Sequence, residues 1–334
     1  MFFKDKKILI IGGTGTIGQS LLNHILIEQP QVVRIFSRDE FKQYHLQNRL
    51  GNRKDIRFLI GDVRDYDRVF SAMQDIDYVF HVAAMKHVPA CEYNPYEAVQ
   101  TNINGTYNVI KAAIAQGVSK VVFTSSDKAI SPTNTYGATK LTAERLISAA
   151  QYSKGREKTT FASVRFGNVM GSRGSVIPLF IEQIKENKRI TVTDLKMTRF
   201  MMTLRQATTL TIKALQESKG GEVFVLKMPV ITLGDLVTVV IEEACEKYNL
   251  KSDGITVEEI GLRQGEKMYE ELMTYDESTM AWELPDMFII PGMQGGQETY
   301  LNARKPKYGT YSSESQTPIS VEEIRTLIRS EQLV

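Results

Sequence analysis

With 334 residues the chain exceeds one ordinary domain and can build one large core or two shared ones. Hydrophobic residues make up 42% and charged residues 24%, a globular composition that excludes a disordered or collagen-like polymer. Lys plus Arg, 41, nearly balance Asp plus Glu, 39, and a net charge of +2 supplies too little field for a dedicated nucleic-acid binder. The two cysteines, Cys91 and Cys245, cannot form a disulfide framework and lack metal-type spacing, so they read as thiols of a reducing compartment and no metal is expected. The apolar run 8–11 is too short for a signal sequence, and no stretch reaches the roughly 18–20 apolar residues of a membrane span. The expectation is a cytoplasmic protein with no membrane segment.

Short β-branched runs at 7–11, 32–36, 56–60, 78–82, 120–124 and 160–166 alternate with helical patterns at 18–28, 41–50, 66–73, 95–116 and 136–150. Each crossover is long enough for a right-handed βαβ unit, and the economical reading is an α/β fold with a doubly wound, Rossmann-like parallel sheet. After about residue 170 the alternation loosens: a glycine-rich turn at 171–175, a helix at 178–187, a short strand at 190–192, a helix at 205–217 and a strand at 222–226. This predicts interleaved units, with 1–169 plus about 201–228 binding a dinucleotide, and about 170–200 plus 229–334 forming a smaller α/β unit for substrate. Ser320 and Glu323 have capping-box spacing before a last helix.

The turn Gly12, Gly13, Thr14, Gly15, Thr16, Ile17, Gly18 follows the first strand and opens a helix. Its glycines let backbone approach a pyrophosphate, whose charge suits the helix N-terminus. The second strand ends in Ser37, Arg38 and Asp39, where an NAD enzyme carries an acid for the ribose hydroxyl. A guanidinium there favours the 2′-phosphate, so Arg38 argues for NADP, while Asp39 keeps NAD open. Asp62, next to Val63 after the third strand, can accept from the adenine amino group or close a simple turn.

Ser126, Asp127 and Lys128 follow the fifth strand, and Tyr136 and Lys140 share one face of the next helix. A phenol with an ordinary pKa near about 10 needs a nearby cation to act as a base at neutrality, which assigns Tyr136 the base role in a hydride transfer beside Lys140.

These residues resemble the extended short-chain dehydrogenase/reductases that act on nucleotide sugars. Ser126-Asp127-Lys128-Ala129, the run from Ala83 to Pro89, and Glu92 with Pro95 resemble UDP-N-acetylglucosamine 4,6-dehydratases in particular. The pair Asp127-Lys128 discriminates, because dehydratases of the dTDP-glucose type carry Asp-Glu there and simple 4-epimerases carry neither charge. The resemblance implies a sugar oxidised at C4, dehydrated across C5 and C6, and reduced again at C6, as in bacterial surface-sugar biosynthesis. It implies Ser126 as hydrogen-bond partner of O4 and, when substrate is bound, a desolvated neutral Lys128 as the C5 base and a protonated Asp127 as the acid at O6.

The cofactor set implied by the resemblance is Gly12, Thr14, Gly15, Thr16, Ile17, Gly18, Ser37, Arg38, Lys42, Asp62, Val63, Ala83, Ala84, Tyr136 and Lys140. For UDP-N-acetylglucosamine it implies Lys86 and His87 over the sugar and Asn168 at the sugar diphosphate, with Arg173 and Val176 in a glycine-rich turn that suits close approach to a phosphate or sugar. Thr193 and Arg199 follow in the uracil and diphosphate segment, and Arg263 and Glu266, with Glu270, in a segment closing over the nucleotide. A homo-oligomer, dimer or hexamer, is the family habit. Two other readings stay open: a nucleotide-sugar epimerase, and a dinucleotide-binding sensor without chemistry, which the intact set from Ser126 to Lys140 opposes. Tyr136 fits inversion at C5.

Overall fold

The computed structural model describes residues 1–172, 174–292 and 300–334. Among them, nine strands form one sheet. Its greater part is β1 (Lys7–Ile11), β2 (Val32–Ser37), β3 (Ile56–Ile60), β4 (Tyr78–His81), β5 (Lys120–Thr124) and β6 (Thr160–Arg165). These strands are parallel and lie in the order β6, β5, β4, β1, β2, β3. The chain order reverses between β1 and β4, and in a doubly wound sheet ligands bind in the crevice beyond the carboxyl ends at that point.

β1 shows why the sheet is covered on both sides. Ile8 and Ile10 enter one hydrophobic core while Leu9 and Ile11 enter the other, so the strand has no face to offer to water. Helices Thr16–Ile27 and Leu204–Glu217 pack together over the first core, and Tyr66–Ala72, Gly105–Ala115 and Thr135–Ser153 cover the second. The α/β doubly wound expectation therefore holds. Beyond β6 the sheet continues with Val223–Leu226 in parallel, then Met287–Ile290 and Trp282–Glu283 antiparallel. Sequence reading grouped 282–290 with the substrate unit, yet these strands complete the main sheet, because Met287, Ile289 and Ile290 are buried along Val223–Leu226.

A separate core gathers Phe180 and Ile184 of helix Val176–Asn187, Leu236 and Val240 of helix Leu233–Tyr248, and Ile324 and Ile328 of helix Val321–Ser330. Burying each such side chain contributes about 1.5–3 kcal/mol. The last helix starts at the expected capping box of Ser320 and Glu323. Among the described residues, strand Thr198–Met202 lies between Asn168–Val169 and Val230–Thr232, Arg189–Val192 pairs with Thr256–Glu259, and Glu271–Met273 pairs with Tyr311–Ser312.

The expected helix over 95–116 is broken into Pro95–Ala98, a π-helical turn Val99–Asn104, and Gly105–Ala115. A π turn inserts a residue and rotates the faces that follow, a feature common at functional sites. Here it buries Thr101 and Asn102. The Asn102 amide accepts from Met85 N at 2.8 Å, donates to Met85 O at 3.0 Å, and donates to Thr139 Oγ1 at 3.0 Å. The loop after β4 is thereby tied to the helix that carries Tyr136 and Lys140.

Candidate active site

A cleft of about 260 Å³ opens at the carboxyl ends of β1, β2 and β4. Gly12, Thr14, Gly15, Ser37, Arg38, Lys42, Val63, Ala83 and Ala84, all expected from the sequence, line it. Gly12 sits at φ 89°, and a Cβ there would come within 2.8 Å of Ala83 N, so only glycine lets the turn pass this close. Thr16, Ile17 and Gly18 form the first turn of helix Thr16–Ile27, which no side chain caps at Gly15. An anion can take that capping role. Thr101 also lines the cleft, and its buried hydroxyl has no hydrogen-bond partner among the described residues. Reading the segment as an unbroken helix hid it.

The acids and bases at the β2 end are paired. Asp39 Oδ1 caps helix Glu40–Leu50 by accepting from Lys42 N at 2.9 Å, and its Oδ2 lies 2.5 Å from Lys42 Nζ. Arg38 Nη1 lies 3.5 Å from Asp62 Oδ2. Asp62 in turn accepts from the Arg64 backbone at 2.9 Å and from its guanidinium at 2.8 and 3.0 Å. Burial works against the Asp62 carboxylate, but the Arg64 hydrogen bonds outweigh it and hold its pKa below the ordinary value.

The second cluster follows β5. Ser126 caps a short turn, Asp127–Ala129, and its Oγ donates to Asp127 Oδ1 at 2.9 Å. That same oxygen accepts from Lys128 N at 2.8 Å and Lys128 Nζ at 3.2 Å. Asp127 Oδ2 is buried with no partner among the described residues, and it points to Gly167, where a Cβ would stand 3.1 Å from it. Helix Thr135–Ser153 starts under an Asn134 cap, with Thr135 N also donating to Glu92 Oε1 at 2.5 Å. Gly137 brings this helix onto the turn, because a Cβ there would overlap Lys128 O at 2.0 Å. Tyr136 and Lys128 are neighbours for that reason.

Burial pushes the Tyr136 phenol up to about 12, opposed by a hydrogen bond with Ser126 and by the Lys128 charge. Burial lowers Lys140 to about 7 against the attraction of Glu144. Lys140 Nζ donates to Thr124 O at 2.7 Å and lies 4.4 Å from the Phe123 ring centroid. The cation acting on Tyr136 is thus Lys128, whereas the expected helical partner Lys140 is spent on the β5 carbonyl.

A neutral Lys128 is the expectation for the substrate-bound site. Burial disfavours its ammonium, but Asp127 and Glu270 outweigh burial and raise its pKa above the ordinary value. Glu270 Oε1 is 3.3 Å from Lys128 Nζ and its side chain is 4% exposed. Sequence reading placed Glu270 in a segment closing over the nucleotide, whereas it faces Lys128. The one signal for this was its place two residues before the fully buried Leu272, on the same side of an extended segment.

The remaining expected substrate residues lie on several elements after β4. Lys86 and His87 are exposed on the loop after β4, and His87 lies against Gly174, whose Cβ would come within 2.3 Å of its ring. Asn168 pairs with Met201 at the start of Asn168–Val169, and Val176 opens its helix. Arg173 lies outside the described residues. Thr193 Oγ1 donates to Glu266 Oε2 at 3.2 Å, and the same oxygen accepts from Arg263 N at 3.2 Å. Arg199 donates to the carbonyls of Lys267 at 2.7 Å and Met268 at 3.0 Å, so its guanidinium orders the segment leading to Glu270. Among the described residues no group of His, Cys, Asp or Glu could hold a metal, and no helix is long and apolar enough to cross a membrane.

The sequence model of a family described as polysaccharide biosynthesis protein matches residues 8–292. The chain belongs to this family. Among the relatives of this chain is a UDP-glucose 4-epimerase of Rickettsia bellii, 41% identical over 98% of this chain and 96% of that protein. Another is a UDP-N-acetylglucosamine 4,6-dehydratase (inverting) of Campylobacter jejuni, 40% identical over 86% of this chain and 83% of that protein. The X-ray structure of Pen from Bacillus thuringiensis is 66% identical, with a TM-score of 0.95 and 100% of both chains covered. Nucleotide-sugar 4,6-dehydratases and 4-epimerases are thus both relatives of this chain.

Proposed function

We propose that the protein is an NADP-dependent UDP-N-acetylglucosamine 4,6-dehydratase, a hydro-lyase that yields a UDP-4-keto-6-deoxy-N-acetylhexosamine inverted at C5. The observation carrying this reading is the pair Asp127 and Lys128 beside Tyr136, with one buried Asp127 oxygen left without a partner among the described residues. An epimerase needs one acid–base group at C4. Elimination needs two more, one at C5 and one at O6.

The β1 turn fits a dinucleotide: a glycine cradle without room for a Cβ, a helix start without a side-chain cap, and the orphan Thr101 hydroxyl in the same cleft. A bound nicotinamide would supply the hydride acceptor for C4 and the donor for C6. Arg38 and Lys42 line the cleft at the end of β2 and Asp39 is engaged as a helix cap, which supports a reading of NADP over NAD. Tyr136 receives the O4 proton, and Ser126 hydrogen-bonds that oxygen. Lys128 then removes the C5 proton, which the new C4 ketone has acidified, and Asp127 protonates O6 as it leaves. The Campylobacter relative named as inverting supports the C5 stereochemistry, as does the presence of Tyr136.

Incubation with UDP-N-acetylglucosamine followed by mass spectrometry tests this: a product lighter by one water is expected. The Rickettsia relative favours a second reading, a UDP-hexose 4-epimerase. A product of unchanged mass and altered C4 configuration would establish that reading and remove the first.

A further inference from the structure

Lys128 Nζ lies between two buried carboxylates, 3.2 Å from Asp127 Oδ1 and 3.3 Å from Glu270 Oε1. Glu270 cannot easily swing away. Its N donates to Ser313 Oγ at 3.0 Å and its carbonyl accepts from Ser313 N at 2.8 Å. Two residues on, the Leu272 carbonyl accepts from the buried Arg165 at 3.2 Å, which also binds Glu144 of the Tyr136 helix. This second carboxylate is therefore built into the site, and it contacts the sugar's base without being required by any step above.

We propose that Glu270 is a positioning residue for the elimination: protonated, it leaves the Lys128 proton free to pass to Asp127, and ionised, it holds that proton on Lys128. The inference rests on the dehydratase reading. With Glu270 protonated, one Lys128 Nζ–H bond breaks and one Asp127 O–H bond forms, leaving three neutral groups where burial penalises charge. The amine then takes the C5 proton, the C5–H electron pair becomes the C5–C6 double bond, and O6 departs as water with the Asp127 proton. Lys128 and Asp127 end as ammonium and carboxylate, as they began, and Glu270 keeps its proton throughout. With Glu270 ionised, moving the Lys128 proton to Asp127 would strand an unpaired buried carboxylate.

The surroundings of Glu270 agree with a group that changes charge. Lys128 and Asp127 face it from the turn after β5 and Arg199 from Thr198–Met202, while Tyr136 acts on Lys128 from its helix. On its own segment, Lys267 Nζ is turned to Ile130 O at 3.2 Å. Burial raises the Glu270 carboxyl above its ordinary value, with Lys128 opposing and Asp127 adding to the rise.

Glu270→Gln keeps the size and fixes the neutral state. Wild type and E270Q, each with its retained cofactor, are compared from mildly acidic to alkaline pH by the rate of water loss from UDP-N-acetylglucosamine. Exchange of the C5 hydrogen with solvent deuterium and reduction of the bound nicotinamide are followed alongside. Wild type should lose C5 exchange and water loss by about tenfold per pH unit above the Glu270 pKa. E270Q should lack that alkaline fall, match wild type at acidic pH, and reduce the nicotinamide normally. An alkaline fall that persists in E270Q, or an E270Q that no longer exchanges C5 at any pH, would overturn the proposal. If E270Q does not fold, Glu270→Asp should displace the midpoint of the fall, and an unmoved midpoint counts against the proposal. A wild type that never loses water refutes the dehydratase reading itself, which separates the two failures.

Discussion

Arg165 is fully buried, with its guanidinium held by Glu144 at 2.6 and 2.8 Å, by Glu277 at 2.8 Å on two nitrogens, and by the Leu272 carbonyl. Arg165→Met retains most of the volume and strands two carboxylates. Breaking one partner from a buried ion cluster costs about 3–5 kcal/mol. With about 2.1 cal/mol/K of unfolding entropy per residue, a chain of 334 residues loses roughly 1.4 °C per kcal/mol, so Tm should fall by about 4–7 °C. The sign of the pH effect is fixed as well. Burial disfavours the Glu277 carboxylate, yet Arg165 overrides it and depresses the pKa, so Glu277 stabilises the wild type above its unfolded pKa and loses that contribution as pH falls. In R165M the unpaired carboxyl rises instead, and the Tm gap to wild type should narrow on acidification. Adding Glu144→Gln and Glu277→Gln should recover part of the loss. Scanning fluorimetry reads all of this, and an R165M Tm within about 1 °C of wild type at neutral pH would refute the reasoning.

Lys128→Ala should abolish C5 deuterium exchange while nicotinamide reduction by substrate persists; Tyr136→Phe should slow that reduction by about 10²–10⁴-fold, and an unchanged rate would remove Tyr136 from the proton transfer. Arg38→Ala should weaken NADP relative to NAD by about 1.5–3 kcal/mol, read by titration of each dinucleotide, with equal weakening counting against a 2′-phosphate contact. Burial lowers Lys140 to about 7 from 10.5, so the unfolded chain binds this proton more tightly and its contribution to stability should rise with pH across that window. Lys140→Met should flatten the rise in cofactor-free protein, as measured by denaturant unfolding at several pH values.

The doubly wound sheet was legible because strands such as β1 and β5 are short, rich in apolar and β-branched residues and buried on both faces, as a covered parallel sheet requires. Helix Leu233–Tyr248 was not read, since Val237, Val239, Val240 and Ile241 look like a strand and only packing against helix Val321–Ser330 and its neighbours decides otherwise. Its Thr232 cap, accepting from Asp235 N at 3.2 Å, was the local signal available. Strands such as Thr256–Glu259 and Glu271–Met273 exist through partners far along the chain, which no local period encodes. The same holds for the site. Ser126, Asp127, Lys128, Tyr136 and Lys140 were named from their spacing, but the charge of Lys128 depends on Glu270, brought in by Arg199 and Ser313 from other elements.

Proton NMR of the purified protein with UDP-N-acetylglucosamine in deuterated water, relying on retained cofactor, tests the dehydratase reading most directly. The account predicts a new methyl signal at C6, deuterium at C5, and couplings of the inverted configuration. A sugar that keeps its C6 hydroxymethyl group and its C5 hydrogen while changing configuration at C4 would contradict it.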